Sequence, residues 1–467
     1  MRRPPRRSPI LLYAVLGLSA GLLLAALFSM PRVTGHEPAS DASDTPAQPL
    51  ISISFSQSMR PETVESRFHL TPSRPGAFRW EGRTMTFIAS QAWPEAAQVE
   101  VELEAGAHSL GGLPTLSNSH WSFTVGAGRL AYLWPAGEKA DLYAWSASQM
   151  EPERLTETAG GIIDFNLTHD GASLIFDADS AGGTQIRELN LADRNDLILH
   201  QCPPETTCRN SSLSPDRRML AFVQEDPQSD ARTLRRVWVK PLDGGEAYLV
   251  ANEDHPTSQP LWSSRKWLAI YDGALMAYVL YDEVSPEGAR LAFVVPNGVG
   301  ATPAWSPEGD HFVFPEIVFL PEPSSEPGTA VEQPPRFFSH LQRVATADGA
   351  QVDRSGDENL LVEDTGPAYS SEGGWIAFSR RSLDPTTWTL GRQIWRMRPD
   401  GVDPTQLTDE PELNHGGLAW SPDGTRLAYV LFDQVNPSEP PEVWWRWVDG
   451  REGGRVMVGG YSPVWIP

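Results

Sequence analysis

The chain has 467 residues, with 60 acidic and 37 basic side chains, which gives a formal net charge of −23. Hydrophobic residues make up 40% of it, enough to build a folded core and to exclude wholesale disorder. Its 42 prolines favour many turns and short strands over long helices. Because contacts to nucleic-acid phosphates need clustered lysine and arginine, the acidic balance argues against a nucleic-acid partner.

The N-terminus carries the signals that predict the compartment. Residues 10–30 form an uncharged apolar run that is long enough to cross a hydrocarbon core of about 30 Å. Four arginines precede it, so residues 1–9 are predicted to be a basic tail that stays in the cytoplasm. The run therefore predicts a transmembrane signal-anchor, a single-pass location in the cell membrane, and domains outside it. A cleaved signal peptide, which would release a secreted protein, is the alternative.

Two local features follow from composition and cysteine spacing. Residues 31–47 are rich in Pro, Ser, Ala and Asp and predict a flexible linker. Cys202 and Cys208 are the only cysteines of the chain. An oxidising exterior would allow a disulfide between them, and two free thiols are the alternative. A metal site would need more ligands than this pair, and no metal or cofactor is predicted.

Residues 48–127 show the period-two alternation of half-buried strands. Ile51, Ile53 and Phe55 lie on one side of the first predicted strand, and residues 98–103 repeat the pattern. Turn residues separate four or more such strands, which predicts a small β-sandwich. The segments ISISFSQSM, GRTMTFIASQAWP, VEVELEAGAHSLGGLP and WSFTV resemble the bacterial Ig-like domain of the SbsA type. That resemblance implies a spacer or adhesive module without catalysis.

From residue 128 onward one pattern recurs. It consists of an aromatic or apolar residue, Ser, Pro, an acid and Gly, followed by a strand that begins Leu-Ala or similar. The clear copies are AWSPDGTRLAYV (419–430), AWSPEGDHFVFP (304–315), AYSSEGGWIAFS (368–379) and SLSPDRRMLAFV (212–223). In such a turn the Ser or Asp side chain bonds its own backbone and Gly supplies the left-handed position. Each repeat is therefore predicted to be a set of four short antiparallel strands.

The spacing of the copies predicts the architecture. The strands after the turn begin at Leu130, Leu174, Leu220, Leu268, Phe312, Ile376 and Leu427. A period of about 45 residues is typical of propeller blades. The first copy lacks its leading strand, and the C-terminal YSPVWIP has the sequence of that strand. We therefore predict an all-β chain whose residues 128–467 form a seven-bladed propeller closed by the C-terminal strand, with six blades as the alternative.

These repeats resemble those of TolB-like β-propellers. The resemblance implies a propeller outside the cytoplasm that binds proteins or accompanies an enzyme domain. The N-terminal α/β domain of TolB has no counterpart here, so its role in the Tol-Pal system is not implied.

No motif in the sequence predicts catalysis. The ten histidines are scattered and form no dense metal motif, and no catalytic, cofactor-binding or metal residue is assigned. One repeat position holds tryptophans that we interpret as structural: Trp262, Trp305, Trp420 and Trp465. Trp444, Trp445 and Trp447 instead share one short strand, and we expect at least one of them to be exposed as a binding aromatic. Core packing is the alternative.

Taken together, these features predict a membrane-anchored, extracytoplasmic, non-enzymatic protein whose propeller binds a protein or another envelope component. One alternative is a propeller that binds a glycan or small ligand through aromatic side chains. Another is an enzyme whose active site is assembled from loops at the mouth of the channel. The identity of the partner does not follow from the sequence.

Overall fold

The computed structural model describes residues 30–147, 151–229, 234–251, 254–298, 300–319, 337–357, 360–436 and 438–466. The chain divides into two compact units, Met1–Gly126 and Ala127–Pro467. Each unit is built from β-strands around its own hydrophobic core.

The first unit is a pair of four-stranded sheets. Its strands are β1 (Val33–Glu37), β2 (Ala42–Thr45), β3 (Leu50–Phe55), β4 (Phe68–Thr71), β5 (Gly76–Glu81), β6 (Thr84–Ala89), β7 (Gln98–Leu103) and β8 (Ser119–Val125). One sheet has the order β1-β3-β6-β5 and the other the order β2-β8-β7-β4. A short helix, α1 (Pro61–Glu65), precedes β4. Ile51, Ile53 and Val101 are fully buried, as the alternation predicts, so the apolar face of each sheet contributes to one core.

The flexible linker predicted at residues 31–47 is not what the structure shows. β1 pairs with β3 along the edge of one sheet, and β2 pairs with β8 along the edge of the other. The ring of His36 stacks on Trp121 at a centroid distance of 4.2 Å. Composition misled the prediction because an edge strand is held by backbone hydrogen bonds, which a polar sequence forms as well as an apolar one.

The single-pass membrane localisation is corrected by the structure. Among the residues that it describes, no helix is long and apolar enough to cross a membrane. Helix α1 has five residues and a length of only about 8 Å at 1.5 Å per residue. The predicted span at residues 10–30 falls, except for Met30, outside the described residues. That prediction depended on the length of the apolar run and on the four arginines that precede it.

The second unit contains the remaining strands. In chain order they are β9 (Arg129–Trp134), β10 (Asp141–Ser146), β11 (Glu153–Arg154), β12 (Ile162–Leu167), β13 (Ser173–Ser180), β14 (Gly183–Asn190), β15 (Asp196–Gln201), β16 (Thr207–Leu213), β17 (Met219–Glu225), β18 (Arg235–Pro241), β19 (Tyr248–Leu249), β20 (Thr257–Trp262), β21 (Leu268–Asp272), β22 (Ala277–Ser285), β23 (Gly288–Pro296), β24 (Ala304–Trp305), β25 (His311–Phe319), β26 (Phe337–Ala345), β27 (Gln351–Asp353), β28 (Val362–Tyr369), β29 (Ile376–Ser382), β30 (Gln393–Met397), β31 (Thr405–Gln406), β32 (Leu413–Trp420), β33 (Arg426–Asp433), β34 (Glu442–Trp447), β35 (Gly454–Val458) and β36 (Tyr461–Ile466).

These strands pair in antiparallel sets of four. Five sets are separate sheets: β36-β9-β10-β11, β12–β15, β16–β19, β20–β23 and β32–β35. The strands β24–β27 and β28–β31 form two further sets, which a parallel pairing of Ser339 with Glu363 joins into one eight-stranded sheet. Repeated four-stranded antiparallel sets, with the last strand completing the first set, are the topology of a β-propeller.

The sequence repeat has a direct structural counterpart. The seven predicted strand starts, from Leu130 to Leu427, all have 0% exposure. The turns before them are held as predicted. The hydroxyl of Ser421, for example, accepts a hydrogen bond from the backbone N–H of Arg426 at 2.9 Å, and Gly424 has a φ of 69°. A left-handed φ of this size favours glycine, so the motif specifies the turn and the turn places the strand.

Candidate functional site

The first strands of successive sets form an inner wall. They contact one another in the order β24, β28, β32, β36, β12, β16 and β20. Five of them carry a bulge at the same repeat position, three residues before the residue that pairs with one of the seven strand starts: at Asn210, Gln259, Gly366, Gly417 and Ser462. These five residues have φ values between 51° and 60°. At this position three strands of the wall present a polar side chain, and the two strands with glycine present only backbone.

The polar bulge residues are engaged by their neighbours. Asn210 Nδ2 donates to Asp164 Oδ2 at 2.8 Å, and Asp164 occupies the equivalent repeat position in β12. Gln259 Oε1 accepts a hydrogen bond from the hydroxyl of Tyr278 at 2.9 Å. Because each side-chain amide already has a hydrogen-bond partner inside the protein, these two residues are held in place.

A buried carboxylate lies behind that wall. Asp177 in β13 is directly opposite Asp164 in β12 and has 0% exposure. Its Oδ2 accepts the backbone N–H of Ser211 at 3.2 Å, whereas its Oδ1 has no hydrogen-bond partner within the described chain. Burial raises the pKa of Asp177 to about 8, and the charge of Asp164 adds to that shift. Burial raises the pKa of Asp164 as well, against the hydrogen bond from Asn210. Solvent does not reach Asp177, so a substrate could not bind to it.

A surface groove opens at the last complete set, β32–β35. It has a volume of about 290 Å³, and its lining combines apolar and acidic side chains: Leu413, Leu431, Phe432, Asp433, Glu439, Pro440, Glu442 and Val458. Phe432 is 40% and Val458 42% exposed, which is unusual for large apolar side chains.

The acidic groups of this groove are held in place by local bonds. Asp433 Oδ1 accepts the backbone N–H of Val435 at 2.7 Å, and Glu439 accepts the side-chain amide of Asn436 at 2.7 Å. Glu442 bonds Arg455 at 2.9 Å. Three carboxylates against one arginine leave the rim with a net negative charge. A surface of this kind favours ligands that combine apolar and cationic groups.

The three tryptophans singled out in the sequence lie on β34 beside this groove. All three are half-buried, and their role as binding aromatics stays a prediction. Trp444 Nε1 donates to Glu442 at 2.7 Å. The ring of Trp445 lies 5.7 Å from Trp447, and the guanidinium of Arg451 lies 3.8 Å from the Trp447 ring. Trp445 and Trp444 point to opposite faces of β34 and pack into two different apolar clusters, which explains their burial.

Cys202 and Cys208 are joined by a disulfide with a Cα–Cα distance of 6.3 Å. Cys202 directly follows β15 and Cys208 is the second residue of β16, and both are almost fully buried. His200 from β15 lies beside them, a neighbour that the cysteine spacing did not reveal. Burial, together with the nearby charge of Lys240, lowers the pKa of His200 to about 4. The imidazole is therefore neutral at physiological pH.

Two other buried histidines are fixed by bonds at both ring nitrogens. His340 bonds Asp353 at 2.7 Å and the Leu360 carbonyl at 2.8 Å. His415 bonds Glu410 at 3.0 Å and the Arg392 carbonyl at 2.9 Å. With both nitrogens engaged, neither imidazole is placed to activate a hydroxyl nucleophile. We interpret both as structural.

Comparison with known proteins agrees with the division into two units. Residues 29–125 match the family model described as "Bacterial Ig-like domain". No curated protein matches the sequence. Among solved structures, the putative TolB from Agrobacterium tumefaciens is 18% identical, with a TM-score of 0.40 over 72% of this chain and 92% of that one. TolB from Acinetobacter baumannii is 12% identical, with a TM-score of 0.43 over 86% and 83%.

A peptidase is also among the similar structures. Dipeptidyl peptidase 4 from Porphyromonas gingivalis is 11% identical, with a TM-score of 0.43 over 77% of this chain and 50% of that one. Similarity at this level does not distinguish a binding protein from an enzyme. The chain thus carries a bacterial Ig-like domain at residues 29–125, followed by a β-propeller whose structural neighbours include TolB proteins.

Proposed function

We propose that the second unit is a seven-bladed, non-enzymatic propeller that binds a protein partner in the groove around Phe432. The seven four-stranded sets and the pairing of β36 with β9 support the blade count and the closure. The single observation that carries the binding proposal is the exposed apolar pair, Phe432 and Val458, surrounded by carboxylates.

The chemistry of the groove indicates the kind of partner. Covering the ring of Phe432 and the methyl groups of Val458 with a partner lowers the free energy, because apolar surface leaves water. The rim carboxylates favour lysine or arginine, and the net charge of −23 attracts a basic segment over a longer range. We therefore propose a partner segment that presents apolar side chains next to basic ones.

The alternative functions have less support. An active site in the channel would need accessible titratable groups, but Asp177 is fully buried and the rings of His340 and His415 are engaged at both nitrogens. A glycan site would need exposed aromatic side chains in a cluster. The tryptophans of β34 share one strand but are half-buried, and the exposed Trp388 (55%) lies elsewhere in the sequence. These tryptophans therefore give a glycan site little support.

A peptide-display selection on the purified full chain tests the proposal. We expect enriched peptides to combine Lys or Arg with large apolar residues. Phe432→Glu should weaken their binding by about tenfold or more, because it removes the apolar contact and places a charge there. Leu291→Glu is the matched control, since Leu291 is 53% exposed on β23, far along the chain from the groove.

The selection also has outcomes that contradict the proposal. Enrichment of acidic or purely polar peptides would do so, as would peptides that bind the Phe432→Glu variant as tightly as the unaltered chain. Binding should also weaken as salt is raised from low to physiological concentration, because exposed charges are screened over a Debye length of about 8–10 Å.

A further inference from the structure

Three side chains with soft ligand atoms meet between β15 and β16. The ring nitrogen of His200 and the sulfur atoms of Cys202 and Cys208 all lie within 4.8 Å of one another. The strand β15 ends at Gln201, directly before Cys202, and Cys208 is the second residue of β16, so one cysteine lies beside regular structure and the other within it. Thiolate and imidazole are the ligands that soft d¹⁰ cations select.

We infer that reduction of the Cys202–Cys208 disulfide opens a three-ligand site for Cu⁺ formed by His200, Cys202 and Cys208. The reductant is a low-molecular-weight thiol, which reaches the buried sulfurs when the largely exposed loop of residues 203–206 opens locally. Two equivalents of it break the S–S bond and form their own disulfide, and each protein sulfur gains one proton. Binding of Cu⁺ then releases both thiol protons, because the thiolate is the ligand. The disulfide and metal-bound forms exclude each other, so the site is gated by redox state.

The number of ligands favours Cu⁺ over Zn²⁺. Structural zinc takes four protein ligands, and the described residues supply three here. Cys202 is 1% and Cys208 0% exposed, so water does not reach the sulfurs to complete a fourth position. Two thiolates and one imidazole fill a trigonal shell around a soft monovalent cation.

The surroundings suit such a site. The ring of Phe222 packs 4.8 Å from that of His200 and fixes its orientation. An apolar cluster that includes both cysteines shields the position from solvent. Two thiolates with Cu⁺ carry one net negative charge, and the ammonium of Lys240, which donates to His200 Nδ1 at 3.4 Å in the disulfide form, offsets it once the imidazole gives up that hydrogen bond to bind the metal. Outer groups of this kind orient the ligands of a metal and tune its affinity.

The experiment uses the full chain, reduced with a phosphine under anaerobic conditions and then freed of the phosphine. Cu⁺ is supplied as its bicinchoninate complex, and transfer to the protein is followed by loss of the colour of that complex. We expect one Cu⁺ per reduced chain and none per oxidised chain. His200→Gln should weaken binding by at least about 10–100-fold, the range that loss of a group beside a ligand produces, because it removes a ligand itself. A Cys202→Ser, Cys208→Ser variant should not compete with the chelator.

Two controls separate binding from misfolding. The oxidised wild-type chain has the same sequence as the reduced one, so it shows the effect of the disulfide without any substitution. His120→Gln alters a histidine of the first unit, 57% exposed at its side chain, and should leave Cu⁺ affinity unchanged. Failure of the reduced chain to take Cu⁺ from the chelator overturns the inference. Equal affinity in the His200→Gln or double-serine variant overturns it as well.

Discussion

Trp465, in the last strand of the chain, lies directly opposite Leu130 in the first strand of the second unit. Trp420 faces Leu427 in the same way within β32 and β33. Trp465 is 3% exposed and Leu130 0%. One repeat position thus joins the two ends of this unit, and the burial of a large aromatic ring contributes to the closure.

We expect Trp465→Ala to lower the free energy of unfolding of the second unit by about 3–5 kcal/mol, the range for removing a buried tryptophan. The guanidinium of Arg426 lies 4.7 Å from the Trp465 ring and would lose that contact as well. Urea unfolding followed by near-UV circular dichroism measures the change.

Trp388→Ala is the matched control for this substitution. Trp388 is 55% exposed, so its removal should alter the free energy of unfolding by no more than about 0.5 kcal/mol. Equal effects of the two substitutions would show that closure by β36 does not stabilise the unit.

Much of the fold could be predicted because the repeat encodes local chemistry. A serine that bonds a backbone N–H five residues later, and a glycine with a left-handed φ, specify the turn before each buried strand, as at Ser421 and Gly424. The strands β1 and β2 were missed because they bury few side chains. Backbone pairing at a sheet edge leaves no periodic signal in the sequence.

The candidate sites were less predictable, since they combine residues from different strands. The groove joins Leu413, Phe432 and Val458, which have no common motif. The burial of Trp444 depends on what covers β34, and the pairing of Asp164 with Asp177 depends on strand register. His200 alone could have been suspected from its position two residues before Cys202.

A second prediction concerns a buried ion pair between β28 and β29. Arg380 donates two hydrogen bonds of 2.7 Å to Asp364, which has 0% exposure. Lysine cannot make this bidentate contact, so Arg380→Lys should cost about 1–3 kcal/mol in unfolding free energy. Arg290→Lys, at the exposed pair of Arg290 with Asp282, should change it by less than about 1 kcal/mol. Denaturant titration compares the two, and a similar loss in both would contradict the assignment.

A third prediction concerns the disulfide. Closure of the short loop between Cys202 and Cys208 should stabilise the second unit by about 2–3 kcal/mol through the unfolded state. The Cys202→Ala, Cys208→Ala variant should therefore unfold at lower urea concentration than the oxidised chain. The reduced wild-type chain should lose a similar amount, which provides the comparison without a substitution. An unchanged midpoint in both samples would show that the loop is already ordered in the unfolded chain.

The last prediction follows from the raised pKa of Asp177, which is about 8 in the folded protein against about 3.9 in an unfolded chain. Between these values the folded state binds more protons than the unfolded one. The stability contributed by this group is therefore fully present below about pH 4 and decreases as the pH rises towards about 8. Asp177→Asn removes the titration and keeps the shape. The free energy of unfolding of this variant, minus that of the wild type, should therefore increase as the pH rises from about 4 to about 8. Urea unfolding at about pH 5, 7 and 9 measures it, with the exposed Asp243→Asn as control. A difference that stays constant across these pH values would mean that Asp177 is ionised throughout and has a partner for its charge.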